Sequence, residues 1–391
     1  DVIDFIQILG DVLDLGVPSD ATVTTAKLAS DSVTSAKVAD GVLQPPHRNI
    51  IINGDMSIAQ RATSETGITG AGYKTLDRFR LGGTVPGAWT WSQSTTVPTG
   101  QGFATSMKLE CTTAEGSLAS GDSMYFQHKI EGQNLQYLKK GTSSAESTTI
   151  SFWVRSAKTG TYIVMLYDND NNRHISKSYT ISSADTWEKK TITFAGDTTG
   201  AFDNDNNKSL EIWIWLVAGA NASSGTLATS WESLTEANQA VGQVNLADST
   251  SNEWYITGVQ LEAGTTASDF EFLPHDVNLQ RCRRYYQILS DLSGGTQPIG
   301  IGFSATTSRF EVAVSVHPVM RSAPTLEYVS GSYYTVVQGS GDVSSNTVAA
   351  NTMTPYMNLI NITGGTYSSV GTSGIALVTN NAGRVSFVSE L

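Results

Sequence analysis

The chain has 391 residues, of which 39% are hydrophobic and only 15% charged, and its formal net charge is −12. An acidic chain is repelled by phosphate backbones, which argues against a nucleic-acid partner, and no apolar run approaches the ~18 residues of a membrane span. Cys111 and Cys282 stand far apart and match neither metal-ligand spacing nor a disulfide framework.

Residues 1–16, "DVIDFIQILGDVLDLG", place Asp1, Asp4, Gln7, Asp11 and Asp14 on one narrow stripe. That spacing predicts a helix, and one so apolar elsewhere needs partners. A ten-residue repeat follows, "VTTAKLASDS" then "VTSAKVADGV". A unit this small buries too little surface to fold alone, so Val23, Leu28, Val33, Val38 and Val42 are expected to pack against copies of themselves. Residues 1–44 thus read as an oligomerising helix and shaft. The chain begins at Asp1 rather than Met, which reads as a trimmed start.

Residues 45–275 read as one mainly β domain. Runs such as "SFWVRS", "TYIVMLY", "HISKSYTI", "KKTITF", "LEIWIWLVAG" and "WYITGVQLEAG" are separated by Gly, Asn, Asp and Ser. Many short strands and few helices predict a β-sandwich, a jelly roll. The runs 161–167 and 210–219 are apolar on both faces, so a second layer or a loop must cover them. Trp213 and Trp215, on such a strand, read as core.

Two stretches nearly repeat each other: "DNDNN" at 168–172 and at 203–207. Both lie between strand-like runs, and Asp and Asn tolerate the backbone angles of turns. Asp168, Asp170 and Asn172 match the first positions of an EF-hand loop, as do Asp203, Asp205 and Asn207. The loop glycine and the distal glutamate are missing, since the twelfth positions are Tyr179 and Ile214. Turns are therefore the expectation. No cofactor or metal is called for, and an irregular Ca2+ site is the one alternative left open.

In residues 276–290, Leu279, Cys282, Tyr286 and Leu289 recur at helical spacing, with Asp276 as N-cap. This predicts a helical connector whose arginines, Arg281, Arg283 and Arg284, pair with carboxylates. Residues 291–391 carry eight charged side chains and no lysine, and read as a small distal β-domain. No catalytic motif is visible: there is no nucleophile elbow, His-Glu-x-x-His, Walker loop or dinucleotide fingerprint. Carboxylates suited to glycosidase work exist at Asp203, Glu211, Glu253 and Glu262, but spacing cannot pair them.

"RNIIINGDMSIAQRAT" followed by "LDRFRL" resembles the opening of a domain common in tail fibres of tailed bacteriophages. "WYITGVQLEAGTTASDFEFLPHDVNLQRCRRYYQ" is similar to the way that domain closes, and "FEVAVSVHPVMRSAPTLEY" to the start of a short distal domain. The resemblance covers about residues 23–328. It implies a homotrimer in the virion tail, outside the cell, joined to other tail proteins at its N-terminal side and touching host polysaccharide or lipopolysaccharide. It also implies likeness to jelly-roll carbohydrate-binding modules.

Sugars are bound by aromatic faces and neutral hydrogen-bonding groups. Tyr328, Tyr333, Tyr334, Tyr356 and Tyr367 lie in Gly/Ser/Asn-rich stretches and are the candidate ligand-binding residues. The plainer reading puts half of them in the small core. Two other functions stay open: a polysaccharide depolymerase on a β-sandwich, and a purely structural tail component.

Overall fold

From Arg48 onward the alternating sequence folds into antiparallel strands. The computed structural model describes residues 48–290, 295–379 and 383–391. The helix and repeats expected over 1–44 lie outside the described residues. Residues 47–391 form one compact unit.

The first twelve strands are β1 (Ser64–Ile68), β2 (Phe79–Gly83), β3 (Ala88–Ser94), β4 (Ser106–Thr113), β5 (Ser123–Glu131) and β6 (Thr148–Ser156), then β7 (Gly160–Asp168), β8 (Arg173–Ile181), β9 (Glu188–Phe194), β10 (Lys208–Ala218), β11 (Glu232–Ser233) and β12 (Glu253–Ala263). They form two six-stranded sheets, β1-β3-β4-β12-β6-β9 and β11-β8-β7-β10-β5-β2. The chain changes sheet repeatedly, as in a jelly roll. Between the sheets, Trp91 and Trp254 of the first meet Phe126 of the second edge-on at 5.9 and 5.8 Å, and Phe79 stacks on Phe126 at 4.7 Å. All four rings are fully buried, and each adds about 1.5–3 kcal/mol of apolar transfer. In β12 the register slips between Thr257 and Gln260. Gly258, at φ +64°, allows this, and a Cβ there would stand 2.6 Å from Phe103.

β7 and β10 are apolar on both faces because one face has a cover. The segment after β10, with the short helix α1 (Ala220–Ser223), lies on Ile163, Met165 and Trp215, and brings Ala222 and Ala240 to them.

The expected connector helix over 276–289 is corrected. Helix α2 runs only His275–Arg283, with Pro274 as N-cap and Asp276 in its first turn. Tyr286–Ile288 is instead strand β13, paired with Val385–Val388 near the end of the chain. Tyr, Gln and Ile accept extended backbone readily, and the partner strand satisfies their backbone groups. Cys282 and Tyr285 pack with Ile52 and Ile58 of the sandwich, whereas Leu289 packs on the distal core.

The distal strands are β14 (Gln297–Thr306), β15 (Arg309–Ser315), β16 (Thr325–Tyr328), β17 (Tyr334–Gln338), β18 (Gly341–Ser345), β19 (Thr347–Met353), β20 (Met357–Thr363), β21 (Ser373–Val378) and β22 (Val385–Val388). A seven-stranded sheet, β18-β17-β21-β14-β15-β20-β19, faces a three-stranded sheet, β13-β22-β16, over a core that includes Phe310, Val336, Ile360 and Phe387.

The distal part returns to the sandwich through Glu390. Its carboxylate receives Arg61 at 3.2 Å and Arg78, and all three side chains are nearly out of water. The Arg78 guanidinium sits 3.5 Å from the Tyr285 ring centre and donates to the Lys129 carbonyl at 2.7 Å. Arg61 covers Tyr286 at 3.8 Å. Glu131 accepts two bonds of 2.8 Å from Arg284 and one from the Tyr285 hydroxyl. Beside Arg78, burial pushes the Asp77 carboxyl up to about 6 and raises the Cys282 thiol well above its ordinary value. Replacing Glu390 by Gln leaves two buried guanidiniums without their anion. Urea unfolding should show a loss of about 3–5 kcal/mol. A change below ~1 kcal/mol, the level of an exposed pair, would mean the joint is held by packing alone.

Candidate functional site

On β10, Ile212, Ile214 and Leu216 enter the core, so Glu211, Trp213 and Trp215 face outward. Their cross-strand neighbours are Tyr125 and Gln127 on β5 and Tyr167 and Met165 on β7. The cover formed by the 219–245 segment buries Trp215 but leaves Trp213, Tyr125 and Tyr167 partly exposed. Tyr125 and Trp213 stack with centroids 4.0 Å apart and planes 1° from parallel, and Tyr167 leans on Trp213 at 5.7 Å. Gly82 on β2 makes room: a Cβ there would lie 2.0 Å from the Tyr125 ring.

The platform is fixed from below. Glu211, 1% exposed, accepts from Trp213 Nε1 at 2.8 Å, from Lys208 Nζ at 2.7 Å and from Gln127. Gln127 in turn accepts from Arg80 at 2.9 Å. Burial, then the Glu211 charge, push the Tyr125 phenol up to about 12, so it stays a neutral donor. Beside the platform opens a cleft of about 370 Å³, whose polar liners include Asp122, Asn221, Glu236 and Gln239. Among the described residues neither carboxylate forms an ion pair. Asp122 accepts the Ala119 N–H at 2.8 Å, whereas rigid aromatic faces beside the Asn221 and Gln239 amides and the Glu236 carboxylate suit a polyhydroxylated ring.

Sequence reasoning took Trp213 for core, and this is corrected: one face of β10 is wholly aliphatic, while the other carries two indoles beside a glutamate. That segregation was the available signal. The five tyrosines are scattered. Tyr334 and Tyr367 are buried, with hydroxyls bonded to the Val329 carbonyl and to Ser345, and they serve the distal core. Tyr333 packs against that core. Tyr328 is 37% and Tyr356 68% exposed. No ring contact joins any two of the five among the described residues. Of the glycosidase candidates, Glu211 does not face Glu253 or Glu262. Glu211 is on the outer face of one sheet, and Glu253, held by Lys108 at 2.7 Å, and Glu262 lie on the other sheet's strand β12.

The two Asp-Asn runs meet. Asp170 of the first accepts from the Asp203 backbone N–H at 3.0 Å, and Asn171 donates to the Ala201 carbonyl. Within the runs, Asp168 accepts the N–H groups of Asp170 and Asn171, and Asp205 that of Asn207, which are Asx turns. The cation position beside Asp168 is taken by the chain itself. Lys140 Nζ lies 2.6 Å from Asp168, 3.1 Å from Asp197 and 2.8 Å from each of the Thr199 and Gly200 carbonyls. The Phe202 and Trp231 rings stand 5.3 and 5.5 Å away. Arg173 also holds Asp197 at 2.8 Å, and these cations keep its carboxyl below the usual range despite burial. With an ammonium inside four oxygens, Ca2+ and chelator should leave the melting temperature unchanged. Lys140→Met should lose about 3–5 kcal/mol by leaving the buried Asp168 carboxylate without its cation, Asp197 keeping Arg173, and calcium should recover part of that. A calcium-dependent rise in the unaltered protein, abolished by Asp168→Asn, would overturn this.

No protein-family model matches the sequence, and no curated protein matches it either. Among solved structures, the chain is similar to the enzymatically active domain of tailspike protein 4 from bacteriophage CBA120, at 13% identity over 56% of this chain and 22% of that one, with a TM-score of 0.29. It is also similar to the carbohydrate-binding module TmCBM61 in complex with β-1,4-galactotriose, at 11% identity over 55% of this chain and 99% of that one, TM-score 0.26. A family 11 carbohydrate-binding module from Clostridium thermocellum, in complex with a mixed-linked tetrasaccharide, gives 10% identity over 53% and 99%, TM-score 0.27. The chain spans about a fifth of the tailspike domain's length. At such TM-scores these likenesses carry no argument about ligand or assembly, and the sandwich assignment rests on strand order.

Proposed function

We propose that the protein is a glycan-binding head carried on a bacteriophage tail fibre. One observation carries the glycan reading: the Tyr125–Trp213 stack, locked by Glu211, stands half-open beside a cleft with uncommitted polar groups. A sugar ring lays its C–H face on such a platform while the amides take its hydroxyls. The rigid stack loses little freedom on binding, which favours affinity. The ligand class is a host-surface polysaccharide or the glycan of lipopolysaccharide. Weak single sites suffice when several heads act together.

The fibre setting is supported by the opening and closing phrases that resemble tail-fibre domains, and by two apolar surfaces suited to copies of the same chain. One is an expectation from sequence alone, the helix over residues 1–16 that is apolar outside its narrow polar stripe. The other is a row across the outer face of the distal sheet, in which Ile301, 70% exposed, is flanked by Ile375 and Ala313. A homotrimer joined to the virion by its N-terminal side accommodates both.

Two measurements test this. On immobilised host polysaccharide, Trp213→Ala should weaken binding by at least about tenfold, the scale of a central aromatic anchor, and Tyr356→Ala should not. Unchanged binding by folded Trp213→Ala sinks the site. In sedimentation the full chain should run as a trimer, and removing residues 1–44 together with Ile301→Lys should give monomer. A folded monomer from the unaltered chain sinks the fibre reading.

A further inference from the structure

A second cleft, of about 460 Å³, opens where α2 meets the sandwich. Its polar liners include Arg281, Arg284, Tyr137, Gln133 and Asn134, so both charged liners are cationic in a chain of net charge −12. The two arginines differ. Arg284 is fully engaged by Glu131 through two bonds of 2.8 Å. Arg281 reaches only the Asn49 carbonyl, at 3.4 Å, and among the described residues no carboxylate comes within ion-pair distance of it. Glu271 acts on it through space, and burial, the largest influence, lowers its pKa, a sign that water has been partly removed. A guanidinium keeps its proton regardless. A desolvated cation without an anion is unfavourable in the free protein, and a ligand anion would relieve it.

We propose that this cleft binds the anionic group of an acidic sugar, a carboxylate or a phosphoryl group, with Arg281 as its charge partner, Asn134 as a hydrogen-bond donor and the Tyr137 ring as the face against the sugar. Tyr137 is 48% exposed, and Asn134 is exposed as well. Burial first, and then Glu262, push the Tyr137 phenol up to about 12, so it stays neutral. Glu262 itself is held by Ser268 at 2.6 Å and lies 3.8 Å from Arg48. This site differs in kind from the Trp213 cleft, whose charged liners, Asp122 and Glu236, repel anions. It does not depend on the Trp213 reading.

The test titrates the full chain with oligogalacturonate, which supplies carboxylates, and with mannose 6-phosphate, which supplies a phosphoryl group. Binding of either is expected, weakening as salt is raised from ~50 to ~500 mM, since screening shortens the reach of the charge. The probe that binds identifies the anion. Arg281→Gln should weaken it roughly tenfold or more, as loss of a charge-assisted bond does, while Tyr356→Ala, at an exposed position outside both clefts, leaves it unchanged. Should Arg281→Gln fail to fold, Asn134→Asp, at an exposed position, places a repelling carboxylate in the cleft and should abolish binding. The proposal is overturned if neither probe binds, if folded Arg281→Gln binds as well as the unaltered chain, or if folded Asn134→Asp does.

Discussion

Everything beyond the sandwich depends on how two buried guanidiniums are neutralised. Arg61 and Arg78 belong to the opening of the sandwich, and their anion, Glu390, comes from the far end of the chain. Buried ion pairs seldom add much net stability, because desolvation offsets attraction. Their effect is selective: an arrangement that separates the partners leaves charges stranded. Here each cation is also covered by a tyrosine, Tyr285 or Tyr286, from one Arg-Tyr-Tyr segment. Helix α2, strand β13 and strand β22 are therefore fixed together. A second tie forms between Asn206 of the later Asp-Asn run and Arg321 of the distal part, each bonding the other's backbone carbonyl.

The same logic of committed charges sorts the surface. Glu211 looks like a catalytic carboxylate by sequence, yet it is saturated by Lys208, Gln127 and the Trp213 indole and acts as a clamp. Asp168 looks like a calcium ligand, yet it holds Lys140. Groups left over after such pairing are the ones with binding capacity. Beside the aromatic stack they are Asn221, Glu236 and Gln239 of the covering segment, and beside α2 they are Arg281 and Asn134.

Strands β6 to β10 and β12 were legible in the sequence because their apolar runs are long and bounded by turn residues. β1 to β5 and β18 to β20 were not singled out. β18 reads Gly-Asp-Val-Ser-Ser, with one apolar residue, and is a strand only because β17 lies beside it. Tyr286 and Leu289 fall at helical spacing from Cys282 by coincidence, so the sequence pattern extends the connector helix beyond its end at Arg283. Strand pairing with β22 is a contact about a hundred residues away, which no local pattern reports. The partial exposure of Trp213 escapes the sequence for a related reason. An apolar outer face implies a cover, but the pattern does not say that the cover stops at Trp215. The Asp-Asn turns were legible, while the ammonium that fills their cation position comes from residue 140, on another element.

The phrases that resemble tail-fibre domains gain a physical meaning from the joint. "LDRFRL" supplies Arg78 and the buried Asp77, and "RCRRYYQ" supplies Arg284, Tyr285 and Tyr286. These side chains bind one part of the chain to another, so a resemblance carried by them speaks of architecture and not of ligand. Tyr125, Trp213 and the residues of their cleft lie outside both phrases, where a shared architecture leaves recognition free to differ. Arg281 is the exception. It stands inside the second phrase, beside residues bound to the joint, yet takes no carboxylate of its own. Arg284, one helical turn on, shows that this helix can deliver an arginine to a buried glutamate. Had Arg281 been needed only for stability, a partner of that kind would have been within the fold's means.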